Sequence, residues 1–475
     1  MTVGLASHFA GVSLDPNDLK AQQKALDLVL QDFDVSAERM GAIVDQFNSE
    51  MRKGLAAPKA TVAMIPSFVT GKPTGEETGR YLALDLGGTN LRVCEFSLLG
   101  QGEYKVHQQK YVISDELKTG DMRNLCDFIA DCVDNFVTEN GSDSLESNLQ
   151  LGFTFSFPVL QTEINRGTLI QWTKGFNCTN AVGKDVVVLL QDAFLRKNVN
   201  VHIAALVNDT VGTLMAHAYK YPETSMGVIL GTGTNAAYYE KLNSIKKWEG
   251  GAVAFDDMVV NMEWGAFDNE RRVLPLTIYD NKLDRESINP RQQIFEKMIS
   301  GMYLGEIARN ALLQLVDRLL LFKGVSSPEL NKQWCFETAY MSAISSDTSE
   351  DLEETQHILE AVMQIPSTSL MDREMVKQVC IAVGRRAARL SACGIAAVIS
   401  QQGSIGQDTL VAIDGSVYEF YPNFENDMTQ GLTDLFGEKD GSCVRFALAR
   451  DGSGLGAAII AMMSHKAAKL KAGSL

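Results

Sequence analysis

No Cys-x-x-Cys pair occurs among the eight cysteines of this 475-residue chain, and no regular spacing relates them. Cys126 and Cys132 lie nearest one another, with no histidine close by. A disulfide framework and a zinc site are thereby disfavoured, and free, mostly buried thiols in a reducing compartment are expected. Positive charge is in deficit: 43 Lys and Arg stand against 59 Asp and Glu, a formal charge of −16. Nucleic acid and anionic membrane are therefore poor candidates for the main partner, and a polyanionic substrate would need local cations or Mg²⁺. Residues 1–15 carry no basic stretch followed by a long apolar run, so no signal peptide is expected. No segment reaches the roughly 18 consecutive apolar residues of a membrane span. Low-complexity tracts and short-period repeats are also lacking. What remains is ordinary for a globular protein, 45% hydrophobic and 21% charged, and long enough for about two or three domains. A cytoplasmic location is expected.

The most informative stretch runs from Leu82 to Val93. An apolar run ends at Asp85, Leu86-Gly87-Gly88-Thr89-Asn90 follows, and alternation resumes through Leu91, Val93 and Phe96. The pattern predicts strand, tight glycine turn, strand. Glycine lets backbone N–H groups approach a phosphate closely. Asp85 at the strand end could hold a hydrated Mg²⁺, and Arg92 is available for phosphate charge. No GK[ST] and no helix signal follow, so neither a Walker loop nor a dinucleotide turn is present. Taken alone, the residues fit a plain hairpin equally well. Met226–Tyr239 repeats the design about 145 residues later, with Gly231-Thr232-Gly233-Thr234 at its turn. Two such hairpins suggest two similar half-structures clasping one phosphate chain.

Other stretches supply candidate ligands. Leu151–Val159 alternates and stops at Ser156-Phe157-Pro158; Trp172-Thr173-Lys174 follows on a second turn. Hydroxyl and ammonium donors beside aromatics suit a sugar, and equally a self-satisfied polar turn. The apolar run Val201–Val207 opens through Asn208-Asp209 into a helix. Asp209 is a candidate general base at a strand's C-terminal end, or a helix cap. Glu263 sits on a strand-like segment and Glu296 on a helix expected from Gln292 to Leu320. Either carboxylate alone is more simply a solvated or paired one. Helices are expected at 16–33, from a Ser36 cap to Met51, at 122–137, 185–196 and 371–398. A connector is expected at 54–79, further strands at 105–114, 409–413 and 444–449, and a closing helix at 457–463 with a frayed tail after it. Asp451–Gly456 resembles a dinucleotide fingerprint, yet too few residues follow to complete a βαβ unit.

In combination these stretches are distinctive. Leu82–Val93, Leu151–Val159, Gly167–Phe176, Leu206–Thr213, Ile229–Glu240, Asn261–Glu270, Phe295–Glu306, Ile413–Phe424 and Asp451–Ala458, in this order, resemble the eukaryotic hexokinase family, and most of all the fungal glucokinases. The resemblance implies an α/β, actin-like ATPase fold of the ribonuclease H type, in two lobes around a cleft. The smaller lobe would be 80–207 with 456–475, and the larger 1–79 with 208–455. It implies ATP-dependent phosphorylation of glucose or related hexoses at the 6-hydroxyl, with Asp209 as general base. Lys174 and Arg92 would supply charge, and Asp85 would hold Mg²⁺ through water. Ser156, Phe157, Thr173, Lys174, Asn208, Asn235, Glu263 and Glu296 match sugar-contacting positions. Asp85, Leu86, Gly87, Gly88, Thr89, Asn90, Arg92 and the turn Gly231-Thr232-Gly233 match phosphate elements. Gly301, Gly415, Ser416, Val417 and Ser453 match positions around the adenosine. A monomer or homodimer is expected. The N-terminus lacks the basic run a nuclear role would need. A non-catalytic glucose sensor and an actin-like chaperone ATPase are the competing readings. The intact Asp209 opposes the first, and the Glu263, Glu296 and Trp172-Thr173-Lys174 set opposes the second.

Overall fold

The computed structural model describes residues 16–87, 90–141, 149–172, 175–250, 255–450 and 452–473. Thirteen strands follow in order: β1 (Ile65–Thr70), β2 (Thr78–Leu86), β3 (Asn90–Gly100), β4 (Glu103–Val112), β5 (Leu149–Phe155), β6 (Val159–Glu163), β7 (Arg166–Leu169), β8 (Val201–Val207), β9 (Thr224–Leu230), β10 (Thr234–Lys241), β11 (Asp257–Asn261), β12 (Thr409–Asp414) and β13 (Val444–Leu448). One sheet has the order β4-β3-β2-β5-β8 and another β1-β11-β10-β9-β12-β13, while β6 and β7 form a small hairpin. In the first sheet β2–β3 and β3–β4 are antiparallel, and β2–β5 and β5–β8 parallel. In the second, β9–β10 and β10–β11 are antiparallel, and β9–β12 and β12–β13 parallel. The two sheets are thus one topology used twice, with β1 added at the edge of the second. The repeated hairpin predicted from the glycine turns is the first pair of strands in each copy.

The apolar run Leu82–Leu86 reflects a sheet covered on both faces. Leu82, Leu84 and Leu86 pack with Ile129 and Leu190 of the helices Met122–Glu139 and Val186–Lys197. Ala83 points the other way, into a cluster with Val211, Ala457 and Ile460. That second cluster joins the lobes. The helix Asp209–Lys220 follows β8 yet packs on β9 and β10 of the other sheet; the helix Gly452–Gly473 follows β13 yet packs on β2, β5 and β8. The two helices also pack on each other. Each lobe therefore hands its last helix to its neighbour, and both crossings occur beside candidate site residues, Asp209 and Ser453.

Local signals explain most helix ends. Ser36 caps the helix Ala37–Ala56 by accepting from the Arg39 N–H at 3.2 Å, and Asp185 caps Val186–Lys197. Three expectations need correction. The connector 54–79 contains β1, whose pairing with β11 supplies its hydrogen bonds. The helix expected from Gln292 to Leu320 is two, Ile294–Ile299 and Gly301–Asp317, because Ser300 is extended at φ −98°, ψ 153°. The break lets the Gly301 N–H donate to the Gly231 carbonyl at 2.8 Å, a tertiary bond that outweighs helix continuity. The closing helix is longer than expected, starting at Gly452 and running to Gly473, so the tail is helical where described. Among the described residues no helix is long and apolar enough to cross a membrane.

Candidate active site

Asp209 is the first residue of its helix, but Asn208 is its cap. The Asn208 Oδ1 accepts from the Thr210 N–H at 2.9 Å and the Thr210 hydroxyl at 2.5 Å. The Asp209 Oδ1 shares that N–H at 2.9 Å. Capping therefore does not depend on Asp209, which stays half-buried at the cleft-facing end of β8.

Glu263 and Glu296 are brought near Asp209 by elements around the second sheet. Glu263 lies just past β11 rather than on a strand, with left-handed backbone at φ 54°. Asn235 at the start of β10 holds it there. The Asn235 Oδ1 accepts from the Glu263 N–H at 2.9 Å and the Ala236 N–H at 2.8 Å. Its amide donates to the Asn261 Oδ1 at 2.7 Å and the Glu263 Oε1 at 3.2 Å, and the Asn261 amide donates to the same Oε1 at 2.9 Å. Glu296, on the helix Ile294–Ile299, accepts from the Thr234 N–H through Oε2 at 3.0 Å, which ties it to the glycine turn. Burial raises the pKa of Glu263 above the ordinary value, two amide hydrogen bonds oppose the rise, and the charges of Asp209 and Glu296 add to it. Asp209 and Glu296 thus lie close enough for their charges to act on Glu263.

An aromatic cluster fixes both glutamates from behind. Trp264, next to Glu263, and Phe295, next to Glu296, meet edge-on at 5.8 Å between ring centres. Phe47 packs on both and stacks on Phe267 at 3.9 Å. Such pairs each add about 0.5–1.5 kcal/mol beyond area burial, enough to hold charged neighbours that repel. The Trp264 indole also donates to the Thr234 hydroxyl at 3.0 Å.

Asp85 and Arg92 are cross-strand partners on β2 and β3, joined at 2.9 Å, and the Ser453 hydroxyl donates to Asp85 at 3.3 Å. Ser453 is thereby joined to the first hairpin at Asp85. Leu86 is buried, Gly87 donates to the Asn90 carbonyl at 3.0 Å, and the Gly231 N–H closes its own turn on the Gly233 carbonyl at 3.0 Å. A cavity of about 610 Å³ opens beside that second turn, lined by Thr232, Gly301, Ser416 and Val417 together with Trp334 and Thr338. Gly415 borders it with φ 126°, and a Cβ there would overlap the Leu230 carbonyl, so only glycine fits.

Ser156 is half-buried past the end of β5. Phe157 is 6% exposed, and its ring packs against Phe155, Trp172 and Phe176. Gly88, Thr89, Thr173 and Lys174 lie outside the described residues. Three neighbours went unread in the sequence. Asn261 holds Glu263; Gln293, with left-handed φ 54°, packs against Gly265 beside Glu296; Thr338 accepts from the Gly305 N–H at 3.0 Å and donates to the Gly301 carbonyl at 2.6 Å. Nothing in their local sequence marks them, since their roles come from residues far away in the chain.

Comparisons with known proteins give the family. Two hexokinase family models match residues 25–219 and 225–463. The hexokinase of Kluyveromyces lactis is 42% identical over 459 residues, covering 95% of this chain and 93% of that protein. The glucokinase of Aspergillus niger is 41% identical over 476 residues, covering 92% and 96%. A solved hexokinase from Schistosoma mansoni in complex with glucose superposes with a TM-score of 0.83 at 36% identity, covering 94% of this chain and 99% of that one. The fold is that of a two-lobe sugar kinase, and the chain belongs to the hexokinase family.

Proposed function

We propose that this protein transfers the γ-phosphoryl group of ATP to the 6-hydroxyl of glucose or a related hexose. One observation carries the reading: Asp209, Glu263 and Glu296 lie close enough for their charges to act on one another, and Glu296 is bonded to a glycine turn that adjoins a cavity of about 610 Å³. The lobes of the mechanism are 80–207 with 456–475, and 1–79 with 208–455.

In this reading Glu263 and Glu296 accept hydrogen bonds from sugar hydroxyls, and the Asn208 amide, Ser156, Thr173 and Lys174 donate or accept around the ring. Asn235 acts mainly through Glu263, which it fixes with two hydrogen bonds, and it also holds Asn261, which donates a further bond to Glu263. Asp209 takes the 6-hydroxyl proton as the P–O bond forms. The phosphoryl group passes in line, and catalysis is chiefly positioning and charge neutralisation. Arg92, Lys174 and the N–H groups of both glycine turns stabilise the phosphate charge. The adenosine lies in the cavity against Gly301, Gly415, Ser416 and Val417. Mg²⁺, when bound, would supply charge neutralisation on the substrate phosphates. Asp85 suits it, because Mg²⁺ keeps most of its waters and takes one or two carboxylates plus substrate phosphates. The Asp85–Arg92 pair would hold the carboxylate oriented for that contact.

The protein acts in the cytoplasm as a monomer or homodimer in this proposal. The test is ADP release from MgATP with and without glucose, beside glucose titration at equilibrium. Glucose-dependent release is expected. Binding without release would identify a sensor of the same fold, and release indifferent to sugar would refute the hexokinase reading.

A further inference from the structure

Glu263, Gln293 and Glu296 occupy three segments that no sheet hydrogen bond connects: the turns after β11, the loop 287–293 and the helix Ile294–Ile299. Gln293 and Arg291 both have left-handed backbone, at φ 54° and 65°, so the loop is not held by local preference. One side chain reaches all three segments. Asp284 lies near the end of the helix Ile278–Glu286 and is 4% exposed. Its Oδ1 accepts from the Lys297 ammonium at 2.7 Å, on the residue after Glu296. Both its oxygens accept from the Arg291 backbone N–H at 3.0 Å, two residues before Gln293. Its Oδ2 also pairs with Arg271, which ends the run of turns that begins at Glu263. That run is continuous, with N–H donations from Phe267 to Trp264 at 2.9 Å, Asn269 to Ala266 at 3.2 Å and Arg271 to Asp268 at 2.7 Å. Lys297, 3% exposed, completes its shell on the Asn289 carbonyl at 2.8 Å.

A buried carboxylate between two cations is a poor source of net stability compared with apolar packing, so its use here asks for another reason. We propose that Asp284 is the positioning residue of the sugar grip, locking the segments of Glu263, Gln293 and Glu296 into the spacing that binds a hexose. The inference rests on the reading of those glutamates as sugar ligands. A loosened clamp leaves every ligand present but misplaced, and misplacement by about 1 Å is costly in a pre-organised site.

A built-in control lies one turn away. Asp280 of the same helix makes an equally buried two-bond pair with Arg386, at 2.7 Å for each bond, and touches none of the three segments. Asp284→Asn and Asp280→Asn are compared by thermal melting, by calorimetric glucose titration and by kinetics in ATP and glucose. Both should melt lower. Asp284→Asn alone should raise the glucose Kd at least about tenfold, with the ATP KM within about twofold and kcat at saturating glucose within about threefold of wild type. Arg271→Gln, at a partly exposed position, is the milder variant and should raise glucose Kd about threefold with the fold intact. An unchanged glucose Kd in Asp284→Asn, or an equal rise in Asp280→Asn, overturns the proposal. If neither Asp variant folds, Arg271→Gln decides, and an unchanged Kd there overturns it. Failure of the wild-type protein to bind glucose would instead overturn the reading of the sugar site.

Discussion

Gly456 meets Gly212 where the two exchanged helices cross, and a Cβ built on Gly456 would overlap the Gly212 carbonyl oxygen. Each helix belongs by packing to the lobe opposite the strand it follows. Backbone against backbone is the closest approach two helices can make, and here it lies within three residues of Asp209 on one helix and of Ser453 on the other. In the proposed closure, relative movement of the lobes passes through this crossing. It is therefore where a change in lobe angle is transmitted to the proposed base and to the hydroxyl that contacts Asp85.

Gly456→Ala should expose that dependence. Forcing a methyl group into a packed crossing costs about 1–3 kcal/mol, and the cheapest relaxation is to part the helices. Chemical denaturation should show the loss. The kcat should fall further than the stability loss explains, since the displaced helix carries Asp209. A variant with normal stability and normal kcat would remove the crossing from the mechanism.

Asp209→Ala should lower kcat by about 10²–10⁴, with glucose Kd changed much less. The helix start should survive, because Asn208 already caps it. Asn208→Ala is the complement, expected to cost about 1 kcal/mol of stability through the lost cap. Near-normal turnover in Asp209→Ala, measured by coupled ADP release, would return Asp209 to the role of a structural carboxylate.

The hairpins and the strand ends were legible because each is a local signal: a glycine pair after an apolar run, an acidic residue at its end; Glu263 and Glu296 stood out only through the family resemblance. The pairing of β2 with β3 and of β9 with β10 follows from such turns. The split at Ser300 was not legible, since the sequence there favours one helix and the break is made by a bond from Gly301 to Gly231, 70 residues earlier. The same holds for β1, whose strand character depends on β11. Phe157 entered as a family position, and only the fold shows its ring packed in a cluster with Trp172 and Phe176. The family resemblance marks Asn235 as a sugar-contacting position and does not mark Asn261, and only the fold brings both onto Glu263.

The raised pKa of Glu263 sets opposite trends for stability and binding. In the sugar-free protein the folded state holds the Glu263 proton to higher pH than the unfolded chain does. Stability should therefore fall as pH rises from the ordinary glutamate range through the raised folded value. Glucose affinity should move the other way, because only the ionised carboxylate accepts two hydroxyl hydrogen bonds. Glu263→Gln should flatten both trends, make the sugar-free protein more stable at neutral pH, and weaken glucose binding at least about tenfold. Urea denaturation and glucose titration across pH 4.5–8 check this, and a variant less stable than wild type at neutral pH would mean that burial and repulsion do not dominate at this site.

Closure itself is testable with an incomplete sugar. Water is smaller and far more abundant than glucose, and its oxygen could also attack the γ-phosphate. An enzyme of this design must keep its site inactive until sugar contacts assemble it. In the proposed arrangement Ser156, Thr173 and Lys174 reach the sugar from one lobe and Glu263 and Glu296 from the other, so a bound hexose bridges the cleft. Its binding energy can then bring Asp209 and both glycine turns together. Xylose has the ring hydroxyls but lacks the 6-hydroxymethyl group. It should draw the lobes partly closed and leave a polar space beside Asp209 that a water can fill. Xylose should therefore stimulate slow ATP hydrolysis above the sugar-free rate, and Asp209→Ala should abolish the stimulation. Small-angle scattering should show the radius of gyration falling with glucose and falling less with xylose. A constant radius together with xylose-indifferent hydrolysis would refute closure while leaving phosphoryl transfer to glucose intact, because the two rest on different residues: the bridge on Glu263 and Glu296, the chemistry on Asp209.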